Sequence, residues 1–66
     1  MEPKFPDITV QLSEQDGNAF YIIGRVRSAM RRAGLPNEDI ADYTKKATSG
    51  NYDNVLRVTM ETVDVA

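Results

Sequence analysis

The sequence predicts a small α+β domain in which three helices pack on a short two-stranded ribbon, in the order β-α-α-α-β. Three observations lead to this prediction. Apolar and polar residues alternate near both ends of the chain, which is typical of strands. Three segments between them repeat apolar residues at helical spacing. The length of 66 residues fits one domain, and we assign residues 1–66 to it, with 1–6 as a flexible tail.

The first predicted strand covers residues 7–12, DITVQL. Ile8, Val10 and Leu12 fall on one side of an extended chain, while the polar residues between them fall on the other side. The two prolines of the tail favour irregular structure before the strand, because proline has no N–H to donate. The sequence therefore predicts a half-buried strand that begins at Asp7.

The first predicted helix covers about residues 18–33 and follows SEQDGN, a run of turn residues in which Asp16 or Asn18 is suited to cap a helix. Its apolar residues fall in one stripe when they are wound at about 100° per residue. The residues of this stripe are Ala19, Ile22, Ile23, Val26, Ala29, Met30 and Ala33. Gly34 follows where a left-handed cap is expected.

The second predicted helix begins in LPNEDI, with Pro36 at the first helical position or Asn37 as the cap. Two acids near its start and two lysines near its end match the helix dipole. Its apolar face consists of Ile40, Tyr43, Thr44 and Ala47. TSGN then interrupts the helical pattern, so a turn is expected there.

The third predicted helix covers about residues 52–61, and Ser49, Gly50 and Asn51 are each compatible with the turn and cap before it. Its helical stripe consists of Tyr52, Val55, Leu56, Thr59, Met60 and Val63. The pattern then changes to alternation in TVDVA, which predicts a short strand that pairs with residues 7–12 in either direction. The side chains predicted to be most buried are Val10, Ile22, Ile23, Val26, Met30, Ile40, Leu56 and Met60.

The residue types present exclude several kinds of chemistry. The chain has no cysteine and no histidine, so zinc sites built from them and Ser-His or Cys-His catalytic pairs are impossible. The glycines match neither the dinucleotide-binding pattern nor the P-loop. No pair of acids lies in an apolar context suited to acid–base catalysis. We therefore predict no catalytic residues, no cofactor and no metal, and a protein that is not an enzyme.

The sequence shows no sign of export or membrane insertion. Its first ten residues, MEPKFPDITV, mix charges with prolines and lack the apolar run of a signal peptide. No stretch approaches the length of a membrane span. Because the absence of cysteine is typical of a reducing compartment, we expect a cytoplasmic protein with no membrane partner.

The charges are unevenly distributed along the chain. The first helix carries four arginines and no acid, whereas the whole chain has a formal charge of −2. Arg25 and Arg32 share one flank of its polar side with Tyr21. Arg27 and Arg31 lie on the other flank. We take Tyr21 and the four arginines as the candidate partner-binding set, because exposed tyrosine beside arginine is typical of interfaces. Phe20 lies off the main stripe, on the flank of Arg27 and Arg31, and with Gly24 one turn later it is suited to form a second contact surface, because glycine permits close backbone approach.

Several short blocks of the sequence resemble a group of small bacterial and prophage-borne hypothetical proteins of unknown function and similar length. The resemblance covers about residues 5–65 and implies a common fold but no activity. The chain differs from that group at Thr62, where a tryptophan is expected, and at Asn54, where a histidine is expected. The blocks are GNAF at 17–20, GRVR at 24–27, RRAG at 31–34, and ATSGNYDN at 47–54 followed by VLR.

The arginines allow three interpretations. They can solvate the outer helix face and pair with acids of the second and third helices, namely Glu38, Asp39, Asp42 or Glu61; this is the interpretation that we favour. They can bind an acidic surface of a protein partner. They can also bind nucleic acid, although the acidic balance of the chain weakens the attraction for a polyanion.

The function expected from the sequence is a non-catalytic protein-interaction or regulatory module. Its partner is either another protein or a second copy of the chain, since a short domain without disulfides gains stability from a larger buried surface. The alternative is a nucleic-acid-associated accessory protein that uses the arginine-rich face of the first helix. The feature that distinguishes these two functions is whether the arginines are free or already paired with acids.

Overall fold

A computed structural model describes residues 2–12 and 19–66 of the chain. The predicted α+β class and the order β-α-α-α-β are confirmed. The predicted turn after the first strand, with Asp16 or Asn18 as helix cap, lies outside the described residues. The elements are strand β1 (Phe5–Val10), helix α1 (Ala19–Arg32), helix α2 (Asn37–Ala47), helix α3 (Tyr52–Thr62) and strand β2 (Val63–Val65).

The two strands pair in parallel, which settles the direction that the sequence left open. The pairing is irregular between Phe5 and Thr9. These two residues are four positions apart in β1, but their partners in β2 are adjacent in the chain. This bulge contains Pro6, whose missing N–H is tolerated where the ladder is interrupted. The strand thus begins at Phe5 instead of Asp7, and its first two residues do not belong to a tail. The paired residues are Phe5 with Val63, Thr9 with Asp64, and Val10 with Val65.

The core lies between the inner face of the sheet and the three helices. Six of the eight side chains predicted to be most buried are confirmed, and those on α1 form the stripe that the sequence predicts. The apolar residues of this core are Ile8, Val10, Ile22, Ile23, Val26, Met30, Ile40, Tyr43, Ala47, Val55, Val58 and Val63. At about 25 cal/mol per Å² of apolar surface, their burial is the main stabilising contribution to the fold.

Helix α3 is rotated relative to the prediction. Met60 was expected in the core but is 63% exposed, and Leu56 is only partly buried. The buried positions are Val55 and Thr59, which belong to the predicted stripe, and Val58, which does not. Three β-branched residues thus form the inner face, while the longer and more flexible side chains of the helix lie at its edge or outside.

A buried hydrogen bond fixes this rotation of α3. The hydroxyls of Tyr43 on α2 and Thr59 on α3 lie 2.8 Å apart, and both side chains are almost fully buried. A buried hydroxyl without a partner destabilises a fold by about 1–3 kcal/mol, so each residue requires the other. Burial raises the pKa of Tyr43, and the hydrogen bond to Thr59 acts in the opposite direction.

The end of α1 forms the cap that the sequence predicts. Gly34 has φ 84°, a left-handed conformation that glycine adopts without steric cost. Its N–H donates to the Arg31 carbonyl at 3.0 Å, and the N–H of Leu35 donates to the Met30 carbonyl at 3.1 Å. These two bonds form a Schellman motif. Leu35 then packs against the core, which directs the chain toward α2.

The starts of α2 and α3 differ in how they are capped. Pro36 is the N-cap of α2 and Asn37 its first helical residue, so the helix begins between the two predicted alternatives, one position after the first and one position before the second. The Pro36 carbonyl begins the helix by accepting from the N–H of Asp39 at 3.1 Å. Asn51 caps α3, and its side-chain oxygen accepts from the N–H of Asn54 at 3.1 Å. The Asn54 amide in turn donates to the carbonyl at the end of α2, so one side chain joins the two helices.

Candidate partner-binding groove

An open groove of about 560 Å³ runs between β1 and the outer face of α1. Its strand side is formed by residues 9–11, the end of β1 and its continuation. Its helix side includes two exposed aromatic side chains and two arginines. The α1 residues that line the groove include Phe20, Tyr21, Gly24, Arg25, Ser28 and Arg32. The structure therefore brings one flank of the predicted binding set beside a strand.

Tyr21 and Arg25 form a pair in the lining of this groove. The guanidinium of Arg25 donates to the Tyr21 hydroxyl at 3.1 Å, and its central carbon lies 5.6 Å from the centre of the tyrosine ring. Contacts of this kind hold an arginine in place without neutralising its charge. Because Tyr21 is 44% exposed and the neighbouring Phe20 is 79% exposed, the groove combines an oriented cation with accessible aromatic surface.

The groove is positively charged. Among the described residues, none of the side chains that line it is acidic, and two of them are Arg25 and Arg32. The expected ion pairs with acids of α2 and α3 are absent: Asp42 pairs with Lys46 at 3.2 Å and Glu61 with Arg57 at 4.0 Å, and within residues 2–12 and 19–66 no salt bridge reaches α1. The prediction that the arginines are neutralised by their neighbours is therefore wrong for this part of the chain.

The other two arginines of the predicted set lie elsewhere. Arg27 and Arg31 are exposed but do not line the groove. The four arginines thus cover two sides of one helix, as the helical spacing predicts, and only two of them converge on a concave surface. This division provides a natural comparison between two arginine pairs of equal charge.

Gly24 leaves a gap in the helix side of the groove. It lies in the middle of α1, where glycine is less favourable than alanine by about 1 kcal/mol. A Cβ atom placed on it meets no atom within 4 Å. Neither close packing nor a left-handed conformation therefore accounts for a glycine here. The gap enlarges the groove next to Arg25, at a cost in helix stability.

A second surface lies on the outer side of α3. Its depression of about 700 Å³ is lined by Leu56 and Met60 together with charged side chains. Two of these, Arg57 and Glu61, form an exposed ion pair within the helix. The mixed charges favour no particular partner, in contrast to the uniformly basic groove on α1.

Sequence reasoning identified Tyr21, Arg25 and Arg32 and predicted Phe20 with Gly24 as a second contact surface, but it missed residues 9–11. Those residues could not be assigned to the groove, because the position of α1 relative to β1 depends on the tertiary fold. Phe20 and Gly24 were predicted on the flank of Arg27 and Arg31, whereas the structure has both in the lining of the groove with Arg25 and Arg32.

The described residues contain no group of three or more potential metal ligands, and no helix among them is long and apolar enough to cross a membrane. No protein-family model matches the chain, and no curated protein or solved structure matches it either. The candidate site therefore rests on its geometry and charge alone.

Proposed function

We propose that this protein is a non-catalytic interaction module that binds an acidic segment of a partner protein in the groove between α1 and β1. The observation that carries the proposal is the pair Arg25 and Arg32, which line one groove whose described residues include no acidic side chain. Such cations attract a negatively charged partner and set its orientation. The exposed rings of Phe20 and Tyr21 supply the apolar contact area on which affinity at interfaces mostly depends.

Charge also argues against the groove as the contact between two copies of this chain. A twofold dimer places the same patch of each copy against the other. Here that arrangement would bring two pairs of arginines together, with no acid among the described lining residues to separate them. Like charges facing each other across an interface are strongly unfavourable. A partner with acidic side chains fits the groove better than a second copy does.

Nucleic acid is the competing partner, because arginines beside exposed aromatic rings can also bind single strands. Two features favour a protein segment. The chain has a formal charge of −2, whereas nucleic-acid-binding domains are usually strongly basic. Only half of the α1 arginines line the groove, so few phosphates could be contacted along it.

A peptide titration tests the proposal. The probe is a capped, fluorescently labelled peptide of alternating glutamate and valine, and its anisotropy reports binding to the full chain. The double variant Arg25→Glu/Arg32→Glu should weaken binding by roughly tenfold or more, as expected when about 1.4 kcal/mol or more of interaction is lost. The matched control, Arg27→Glu/Arg31→Glu, changes the total charge equally on the other flank and should bind much like the parent.

Two results would overturn the proposal. Equal weakening by both double variants would mean that only the overall charge attracts the peptide. Tighter binding of single-stranded or duplex DNA than of the peptide, with a steep dependence on salt concentration, would identify a nucleic-acid-binding protein instead. A peptide of alternating lysine and valine serves as the negative control.

A further inference from the structure

The edge of β1 that faces the groove is not the edge that pairs with β2. The carbonyl of Val10 accepts from the N–H of Ala66 at 3.0 Å, so the main-chain groups of Val10 point toward β2. Main-chain groups of successive strand residues point alternately to the two edges. Those of Thr9 and Gln11 therefore point away from β2, and both residues line the groove. Within the described part of the chain the sheet has two strands, so nothing there pairs with this edge.

An unpaired strand edge is a template for another extended chain. A strand added to a sheet lies about 4.8 Å from its neighbour, and its main chain bonds to the outward N–H and C=O groups. The groove provides the necessary space beside Thr9 and Gln11. On its far side, Gly24 leaves open the position that a larger side chain would occupy. Backbone can approach closely where glycine replaces a larger residue.

We propose that the partner segment binds as an added β-strand along the free edge of β1, passes over Gly24, and directs acidic side chains toward Arg25 and Arg32. This inference rests on the proposed function and specifies how the segment is held. Main-chain bonds to the strand supply affinity for any extended peptide, and the two arginines select acidic ones. Alternate side chains of an added strand share a face, so the favoured segment alternates acids with apolar residues.

Backbone methylation of the probe tests the main-chain bonds directly. An added strand uses the N–H groups of every second residue to bond to β1, and its other N–H groups point away from the sheet. Two versions of the glutamate–valine peptide are compared, one N-methylated at the glutamates and one at the valines. One version should lose affinity by about tenfold or more, as expected for several lost hydrogen bonds, and the other should bind like the parent peptide.

A variant of the protein tests the same hydrogen bonds by changing the main chain of β1 instead of the peptide. Thr9→Pro removes the outward N–H of β1, and proline is tolerated where a strand N–H faces solvent. Its peptide affinity should fall several-fold. The comparison variant Thr9→Val keeps the N–H and loses only the 3.3 Å bond from the threonine hydroxyl to Asp64, so Thr9→Pro should bind the peptide several-fold more weakly than Thr9→Val. A thermal melt verifies that each variant folds. If Thr9→Pro does not fold, the methylated peptides still test the main-chain bonds, because they are measured on the parent protein.

Three outcomes are distinguishable. Sensitivity to one methylation pattern, together with loss of binding in Arg25→Glu/Arg32→Glu, supports strand addition. Equal binding of all three peptides, with the arginine variant still defective, would overturn strand addition and leave the proposed function standing, because side chains alone would then hold the segment. Unchanged binding in the arginine variant would overturn both.

Discussion

At the scale of single residues, the glycines of this chain have different roles that a count of glycines does not reveal. Gly34 adopts a left-handed conformation and ends α1. Gly50 lies so close to Asn54 that an added Cβ would come within 2.9 Å of the Asn54 Cβ. Gly24 has neither restriction. Among the three described glycines, Gly24 is therefore the one that a larger residue could replace without strain in the fold. Such a residue would narrow the groove.

We predict opposite effects of alanine at two of these glycines. Gly24→Ala should stabilise the protein by up to about 1 kcal/mol, because alanine is the better helix former and its methyl group meets open space. Gly50→Ala should destabilise it by about 1–3 kcal/mol, because the new methyl group overlaps Asn54. Urea denaturation measures both changes. A destabilised Gly24→Ala would show that the glycine is needed for folding and would remove it as support for the groove.

The Tyr43–Thr59 pair leads to a prediction about alkaline pH. Because burial raises the pKa of Tyr43, the folded state favours the neutral phenol more than the unfolded state does. This contribution to stability is complete below the unfolded pKa of about 10 and is lost as pH rises through the folded pKa. Tyr43→Phe has no phenol to ionise, so its stability should not show the part of the loss at high pH that Tyr43 causes in the parent protein.

Denaturation of parent and Tyr43→Phe at a series of pH values measures the effect. At neutral pH the variant should be less stable by about 1–3 kcal/mol, because Thr59 loses the partner of its buried hydroxyl. The difference between the two proteins should shrink above pH about 10. A difference that stays constant through that range would mean that Tyr43 ionises as easily in the folded state as in the unfolded one.

At the scale of elements, α3 shows why the inner face of a helix can be difficult to predict. Its sequence carries apolar residues around more than half of its circumference, so two overlapping stripes fit helical spacing. The stripe that contains Met60 has larger side chains, and the stripe with Val58 has smaller ones. Thr59 belongs to both stripes and is hydrogen-bonded to Tyr43 on α2, and the burial of Val58 shows that the second stripe faces the core.

Two alanine variants distinguish these orientations of α3. Val58→Ala should cost about 2 kcal/mol, because it removes two buried methyl groups and leaves a cavity. Met60→Ala should change stability by less than about 0.5 kcal/mol, since its side chain is mostly exposed. Thermal unfolding followed by circular dichroism provides the comparison. The reverse order of stabilities would restore the orientation that the sequence predicted.

Helix α1 was more predictable than α3. Its polar side carries four arginines, so only one apolar stripe exists, and Ile22, Ile23, Val26 and Met30 are buried along it. The start of β1 was not predictable in the same way. Proline usually marks a strand boundary, but the bulge lets Pro6 lie inside the strand. The apolar pattern within one segment thus predicted that a helix or strand forms there. Features that depend on how two elements pack or pair, such as the bulge in β1, were not predictable from that pattern.

At the scale of the whole molecule, the candidate site shows the same limit. The sequence predicted which residues lie on each flank of α1, because flanks follow from helical geometry. It did not predict that one flank faces an unpaired strand edge, because β1 and α1 are placed together by the tertiary fold. The absence of ion pairs between α1 and the acids of α2 and α3 has the same origin. The sequence therefore identified the arginines on the polar side of α1. Only the structure showed that Arg25 and Arg32 line the same groove.

The parallel pairing of β1 and β2 also determines how the fold responds to mechanical force. The two strands run in the same direction and are separated by all three helices. A force that pulls residue 5 and residue 65 apart acts along both strands in opposite directions. It loads the hydrogen bonds between them in shear, all at once, and does not unzip them one by one. Resistance to forced unfolding is a matter of rates, so this short ladder acts as a clamp that must slip before the helices can be pulled apart.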